Sequence, residues 1–552
     1  MRKSEKLSDA IGMVDEEIVA EAEEKRISFS DNSTKNKRRG NIIRISAAAA
    51  ACAAVAGGVL LIGGNGGENI SDIIDEPAAH TTTAQTASTV PDEDTDGYVI
   101  GGPSANTTVA PTTPDGYVSR DTDIETELHA ETIAEAEYPV MAQYPNEDDC
   151  FDENGIWQDE LYKRYYEPWS EQGIERRDAG KIIMDKQTGF VMSMSTELLS
   201  GSDGENRVYS PGSTYMALAM LAETAGGDSR YQILDLLEAD SIESLRGQAE
   251  NMWKANYRND GATTSILANS LWLNEGVTFN VGTLQRLADS YRASSYRGDM
   301  SSEDMTAALR KWLNEQTGGL LGDSVKNVTL DPETVMSLCS TVYFRAKWDT
   351  VFLPSNNDTK TFHGSKGDIE TEFMNSTNEY GPYYWGEDYG AVSLAFADGG
   401  SMWLILPDED KTIDDVLASE EYLDMVSTGY GWEKSESIIV HYSVPKFDVA
   451  SEMNLADSLM RLGVTDIFDS TAADFTPLSE DSDGLFVGGA KHAARVQIDE
   501  EGCTAAAFTQ MAVCGAALPP EDEIYFTLDR PFLFVIMSDT KQPLFIGTVY
   551  EP

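Results

Sequence analysis

Between Asn65 and about Glu135 the chain is built mostly of Thr, Asp, Pro, Gly and Ser, with few aliphatic side chains. Such a stretch cannot bury enough apolar surface to offset its ordering entropy, so it reads as a flexible acidic spacer. Any large hydrophobic core must come from the residues that follow. Of the 552 residues, the distribution therefore predicts one large domain with appendages rather than two or three ordinary domains. The predicted division is a tail over 1–41, an apolar segment over 42–64, the spacer over 65–137 and a folded domain over 138–552. No internal repeat of fixed period occurs.

Leu7, Ile11, Val14 and Ile18 fall on one helix face, fitting either a partner-binding helix or a weakly ordered cytoplasmic tail. A basic run follows (Lys35, Lys37, Arg38, Arg39, then Arg44), and from Ile45 to Gly64 no charge occurs. About 20 residues rising 1.5 Å each cross roughly 30 Å of hydrocarbon. Basic residues ahead of such a segment hold that side in the cytoplasm. The expectation is a signal-anchor helix over 42–64, a single pass through the cell membrane and an extracytoplasmic C-terminal domain. The competing reading is a cleaved signal peptide and a secreted protein.

Asp plus Glu number 94 against 40 Lys plus Arg, a formal net charge of −54. Phosphate backbones repel such a surface, so no nucleic-acid partner is expected. Cys52, Cys150, Cys339, Cys503 and Cys514 include no C-x-x-C pair and no metal-ligand spacing. A Cys503–Cys514 pair and free thiols both remain open. The five His (His80, His129, His363, His441, His492) form no H-E-x-x-H, and the chain has no G-x-S-x-G elbow or phosphate-cradling loop. The expectation is a protein that is not an enzyme, without cofactor or metal, with His492 in a structural role.

Helical spacing runs through 215–221, 231–237 and 305–316, while strand-like runs occupy 265–273, 335–344, 391–406, 438–444, 496–498, 524–528 and 532–537. Many strands among helices without a regular βαβ rhythm predict an α+β fold with large antiparallel or mixed sheets. The aromatic patch Trp157, Tyr162, Tyr165, Tyr166 and Trp169 is assigned to no element.

From Gly502 to Pro520 this acidic chain carries no charged residue at all. A mobile Ala-rich loop and a short helix both fit. A third reading is a loop able to enter a sheet, where inward side chains must be small or apolar. With Cys503 inward, Ala505, Ala507, Thr509, Met511 and Val513 follow, and the bulky Phe508 falls outside.

From about Asp185 to the end the sequence resembles the serpins, a family of serine protease inhibitors. Asn206-Arg-Val-Tyr-Ser-Pro-Gly-Ser213, Ala217-Leu-Ala-Met-Leu221, Asn269-Ser-Leu-Trp-Leu273, Trp312-Leu-Asn-Glu-Gln-Thr-Gly318, Thr341-Val-Tyr-Phe-Arg-Ala-Lys-Trp348, Val444-Pro-Lys-Phe447, Leu462-Gly-Val-Thr-Asp466 and Phe526-Thr-Leu-Asp-Arg-Pro-Phe-Leu-Phe534 resemble family blocks in family order. The stretch from His492 to Gly502 looks like the strand leading into the reactive loop. The resemblance is to a bacterial, membrane-anchored member, and it implies a large central mixed sheet, two further sheets and about eight or nine helices, preceded by the expected membrane helix and linker. It implies a hinge at Glu500, Glu501, Gly502, Cys503, Thr504, Ala505, Ala506, Ala507 and Phe508, with Cys503 where the family usually has Thr or Ser. Aligning Pro519 and Pro520 with the family's Pro-Pro pair puts the reactive bond between Ala516 and Ala517. Lys446 would pair with Glu500 near Trp348, and Ser210, Ser213, Ser340 and His492 would lie where the sheet opens. Ser340 stands where many members carry Asn. The implied function is suicide inhibition, by a monomer, of proteases with a small specificity pocket, elastase-like or subtilisin-like. The alternative is a non-inhibitory member serving as a surface binding or structural module.

Overall fold

The structure, a computed structural model, describes residues 54–63, 130–144, 150–152, 156–261, 263–319, 323–326, 328–397, 399–429, 434–502 and 522–552. Two sheets carry the fold of these residues. The first has eight strands, in the spatial order β13 (Phe447–Asn454), β14 (Phe486–Ile498), β1 (Ala54–Gly63), β7 (Thr334–Arg345), β5 (Thr264–Asn274), β6 (Ala293–Gly298) and β2 (Glu131–Ala134), with β4 (Arg258–Asn259) on the end of β5. It is mixed: β6 runs parallel to β5, and β1 runs antiparallel to both its neighbours. The second has nine strands: β15 (Glu523–Thr527), β12 (Ser435–Pro445), β9 (Gly367–Trp385), β10 (Tyr389–Ala395), β11 (Ser401–Pro407), β16 (Phe532–Met537), β17 (Pro543–Val549) and β3 (Arg207–Tyr209), with β8 (Asp358–Gly364) beside β9.

Strands β5 and β7 bury nearly every successive residue, the mark of a strand covered on both faces. Over the middle of this sheet lies a helix, Pro211–Thr224, here α2, which follows α1 (Asp159–Leu199) and is buried along its whole length. Ser210 caps α2 by accepting from the Ser213 N–H, and Pro211 starts it where its missing N–H costs nothing. The helix packs on β7, β1 and β17, so it ties the two sheets together. Apolar residues from the helices and both sheets form one continuous buried cluster.

Several expectations are corrected. Residues 54–63 of the expected spanning helix are a strand inside the first sheet, while 42–53 and 64 lie outside the described residues, as do the tail and most of the spacer. Among the described residues no helix is long and apolar enough to cross a membrane. The misreading has a physical source, because an interior strand and a bilayer both exclude water and both select an uncharged run. Gly57 and Gly58, each about 1 kcal/mol poorer than Ala in a helix, weigh against helix, and Val55, Val59 and Ile62 suit a strand. The two smaller sheets expected separately form one sheet, because β9 spans 19 residues and pairs with β8, β12 and β10 along its length. The run 391–406 divides into β10 and β11 at a turn where Gly399 has φ +92°. The strand expected at 496–498 begins at Phe486, its first half disguised by Gly488, Gly489 and Ala490. The sheet also takes up Glu131–Ala134, ahead of the expected domain start at 138. Of the unassigned aromatics, Trp157 bridges Phe151 just ahead of α1, and the other four open α1, where Tyr162 and Tyr166 stack one helical turn apart with centroids at 5.4 Å.

Candidate functional site

The expected site residues that are described gather at two levels of one lane, the gap that β1 fills between β14 and β7. At the upper end β14 stops at Ile498 and the chain reverses over Asp499–Gly502. Glu501 N–H donates to Asp499 Oδ1 at 2.9 Å, closing a local turn. Gly502 bridges Asp499 on one side and Lys347 on the other, with φ +96°. A Cβ built there stands 2.4 Å from the Trp348 amide nitrogen, so the turn requires glycine.

Trp348 holds this corner from the β7 side. Its indole N–H donates to the Asp499 carbonyl at 2.9 Å and its backbone N–H to the Glu501 carbonyl at 3.2 Å. Its ring stacks on Phe396 at 4.9 Å. Glu500 is held from the other side, with Lys446 Nζ at 2.7 Å and the Asn357 amide at 2.5 Å from the same carboxylate oxygen. Lys446 also reaches Glu372 at 2.6 Å, so one ammonium serves two carboxylates. Burial alone would raise the Glu500 carboxyl, but donation from Lys446, a backbone N–H and Asn357 holds it below the usual range. Half-buried Lys347 is pushed down by desolvation, with Glu501 opposing.

Halfway along the lane, Gly58 of β1 lies opposite Ser340 on β7 and His492 on β14. Both neighbours are tied to the start of α2. Ser213 Oγ donates to the Ser340 carbonyl at 3.0 Å, and Ser210 N–H donates to His492 Nε2 at 3.1 Å. Because Nε2 accepts, the neutral ring carries its proton on Nδ1. His492 is fully buried, and desolvation pushes its pKa down to about 4. Neither Ser340 Oγ nor His492 Nδ1 has a hydrogen-bond partner among the described residues.

Sequence reasoning thus named residues that do meet: Lys446 with Glu500 beside Trp348, and Ser210, Ser213 and His492 around the α2 cap. Cys503, Thr504, Ala505, Ala506, Ala507, Phe508, Ala516 and Ala517 lie outside the described residues. It missed Glu372, Asn357, Phe396 and Lys347, each brought in by long-range pairing with no local signature. The one cue available was Lys347 inside the block that ends at Trp348. Cys339 is a buried thiol raised to about 12 by desolvation, with no reactive character.

A family model described as "Serpin (serine protease inhibitor)" matches residues 185–552. Leukocyte elastase inhibitor A of Mus musculus is 29% identical over 383 residues, covering 67% of this chain and 99% of that protein. Alpha-1-antiproteinase of Rattus norvegicus is 26% identical over 380 residues, covering 67% and 89%. Among solved structures, the native state of tengpin, a thermophilic serpin, superposes with a TM-score of 0.58 at 26% identity, covering 67% of this chain and 94% of tengpin.

Proposed function

This chain belongs to the serpin family, and from that premise we propose that it traps serine proteases by offering the bond between Ala516 and Ala517 for cleavage. The target's serine oxygen attacks the Ala516 carbonyl carbon, and its proton passes through the target's histidine to the departing amine of Ala517. What remains is an ester between Ala516 and the protease. The freed segment then adds to the first sheet as a strand, gaining backbone hydrogen bonds and buried area. About 13 residues at roughly 3.3 Å each carry the protease some 40 Å. The energy comes from a native state held by kinetics rather than equilibrium.

The observation that supports this most is the placement of Gly502. It already stands between the extensions of β14 and β7, so a strand continuing from it runs antiparallel to both. Ala516 suits a shallow specificity pocket, which favours elastase-like and subtilisin-like targets for a monomeric inhibitor. We place the domain on the outer face of a cell membrane, held through 42–64 in molecules whose 54–63 are not paired in the sheet, with secretion as the alternative. Fractionation of cells with an antibody to the domain separates the two.

The test is incubation with pancreatic elastase, followed by denaturing electrophoresis and mass spectrometry. The expected product is a covalent adduct cut after Ala516. A further variant, Ala507→Arg, should be cleaved without trapping, because a charged side chain blocks insertion. Cleavage of both forms, with no adduct at any ratio of the two proteins, overturns inhibition and leaves a surface binding or structural module.

A further inference from the structure

The lane that a freed loop must enter is occupied. Strand β14 has β13 on one side and β1 on the other, and β7 has β5 on one side and β1 on the other. A hairpin strand following β14 therefore has one lane open to it, and β1 is in it. The two registers of β1 agree on the geometry. Ala54 sits opposite Val496 and Phe344, and Gly63 opposite Phe486 and Thr334. Extending both registers upward, the row joining Asp499 to Lys347 is the row where Gly502 sits. Gly502 and β1 thus lie in the same lane and point the same way along it. Only the rows of Ile498 and Gln497 separate them. Past Thr504, a loop paired residue for residue meets Ala54 opposite Val496.

We propose that β1 is an internal plug: Ala54–Gly63 fills the insertion lane of its own sheet, and the loop is admitted only after that strand withdraws. The role of the loop rests on the inhibitory reading above, whereas the occupancy of the lane rests on the pairing of β1 alone. The plug is chemically suited to leave. From Ile45 to Gly64 the chain is uncharged, so the competing home for these residues is the hydrocarbon of a bilayer, where the same backbone groups pair within a helix instead. Lane and bilayer are mutually exclusive for ten residues that have one set of N–H and C=O groups. At the level of Gly58, the buried Ser340 Oγ and His492 Nδ1 have no hydrogen-bond partner among the described residues while β1 is in place, and leaving a buried polar group unpaired is destabilising. Direct pairing of β7 with β14 would bring those two strands within hydrogen-bonding distance.

Hydrogen exchange on the full-length protein in detergent-free buffer tests occupancy. Amides of 54–63 are expected to exchange at least ~100-fold more slowly than those of the spacer. Exchange at the spacer's rate overturns the plug. Gating is tested with full-length Gly58→Pro, which removes a ladder donor from the middle of the strand. Should that chain fail to fold, Leu60→Asp puts a carboxylate in the row of buried Leu338 and Ala490. Either variant is expected to trap elastase about tenfold faster or more, to lose protection over 54–63, and to be slowed again by excess peptide of sequence 54–63. Equal trapping rates in wild type and a variant that has lost this protection overturn gating. If no form traps any protease while 54–63 stays protected in the wild type, the inhibitory reading fails and the occupancy of the lane stands.

Discussion

His492 shows how much a single buried side chain can report about the sheet. Its folded pKa is about 4 against an ordinary 6.5, because burial disfavours the charged ring. Below the ordinary value the unfolded chain takes up a proton that the folded chain refuses. The stability contributed by the neutral ring is thus whole above pH 6.5 and is lost as pH falls toward 4. Wild type is expected to lose up to roughly 3 kcal/mol more than His492→Gln between pH 7 and pH 4, as read by urea unfolding at each pH. At the upper corner, Lys446→Met leaves Glu500 and Glu372 facing each other without their shared cation. Glu500 is only 14% exposed whereas Glu372 is 50% exposed. The expected loss is therefore intermediate, about 1–3 kcal/mol. Gly502→Ala should cost at least about 1 kcal/mol, since the added methyl meets the Trp348 amide in a left-handed backbone region. Thermal unfolding measures both.

Helix α2 and strand β14 carry most of the site, and each is shaped by small residues. The cap on α2 is also the hinge between the helix and the lane, because Ser210 accepts from Ser213 while the same stretch binds His492 and Ser340. Removing the Ser210 hydroxyl by Ser210→Ala is expected to destabilise the fold by about 1 kcal/mol, seen as a lower denaturation midpoint at unchanged slope. Strand β14 pairs with β13 over 491–498 and with β1 over 486–496, although much of it is built from Gly488, Gly489, Ala490, Ala493 and Ala494. Small side chains there contribute little hydrophobic signal of their own. The strand was legible only where Val496 and Ile498 restore it.

At the scale of the molecule, specificity and capture rate are set by terms that leave the fold alone. Ala516→Arg should redirect trapping from elastase-like to trypsin-like proteases, with the ratio of second-order rates shifting at least about 100-fold. A net charge of −54 adds a long-range field that salt screens. Trapping of a basic protease is expected to slow as salt rises from low ionic strength, and that of an acidic protease to quicken.

Local chemistry determined much of this protein. The uncharged strip after Gly502, the cap sequence at Ser210 and Ser213, and the apolar runs of β5, β7, β12 and β16 depend on near neighbours, so they could be read along the chain. The ion pair of Lys446 and Glu500 was legible only through resemblance, since nothing near either residue announces the other. Tertiary structure alone decided what Ala54–Gly63 would be. The uncharged run Ile45–Gly64 that contains it is long enough to cross a bilayer as a helix, while its second half satisfies its backbone inside a sheet, and the choice depends on whether two strands, hundreds of residues away, leave a lane between them.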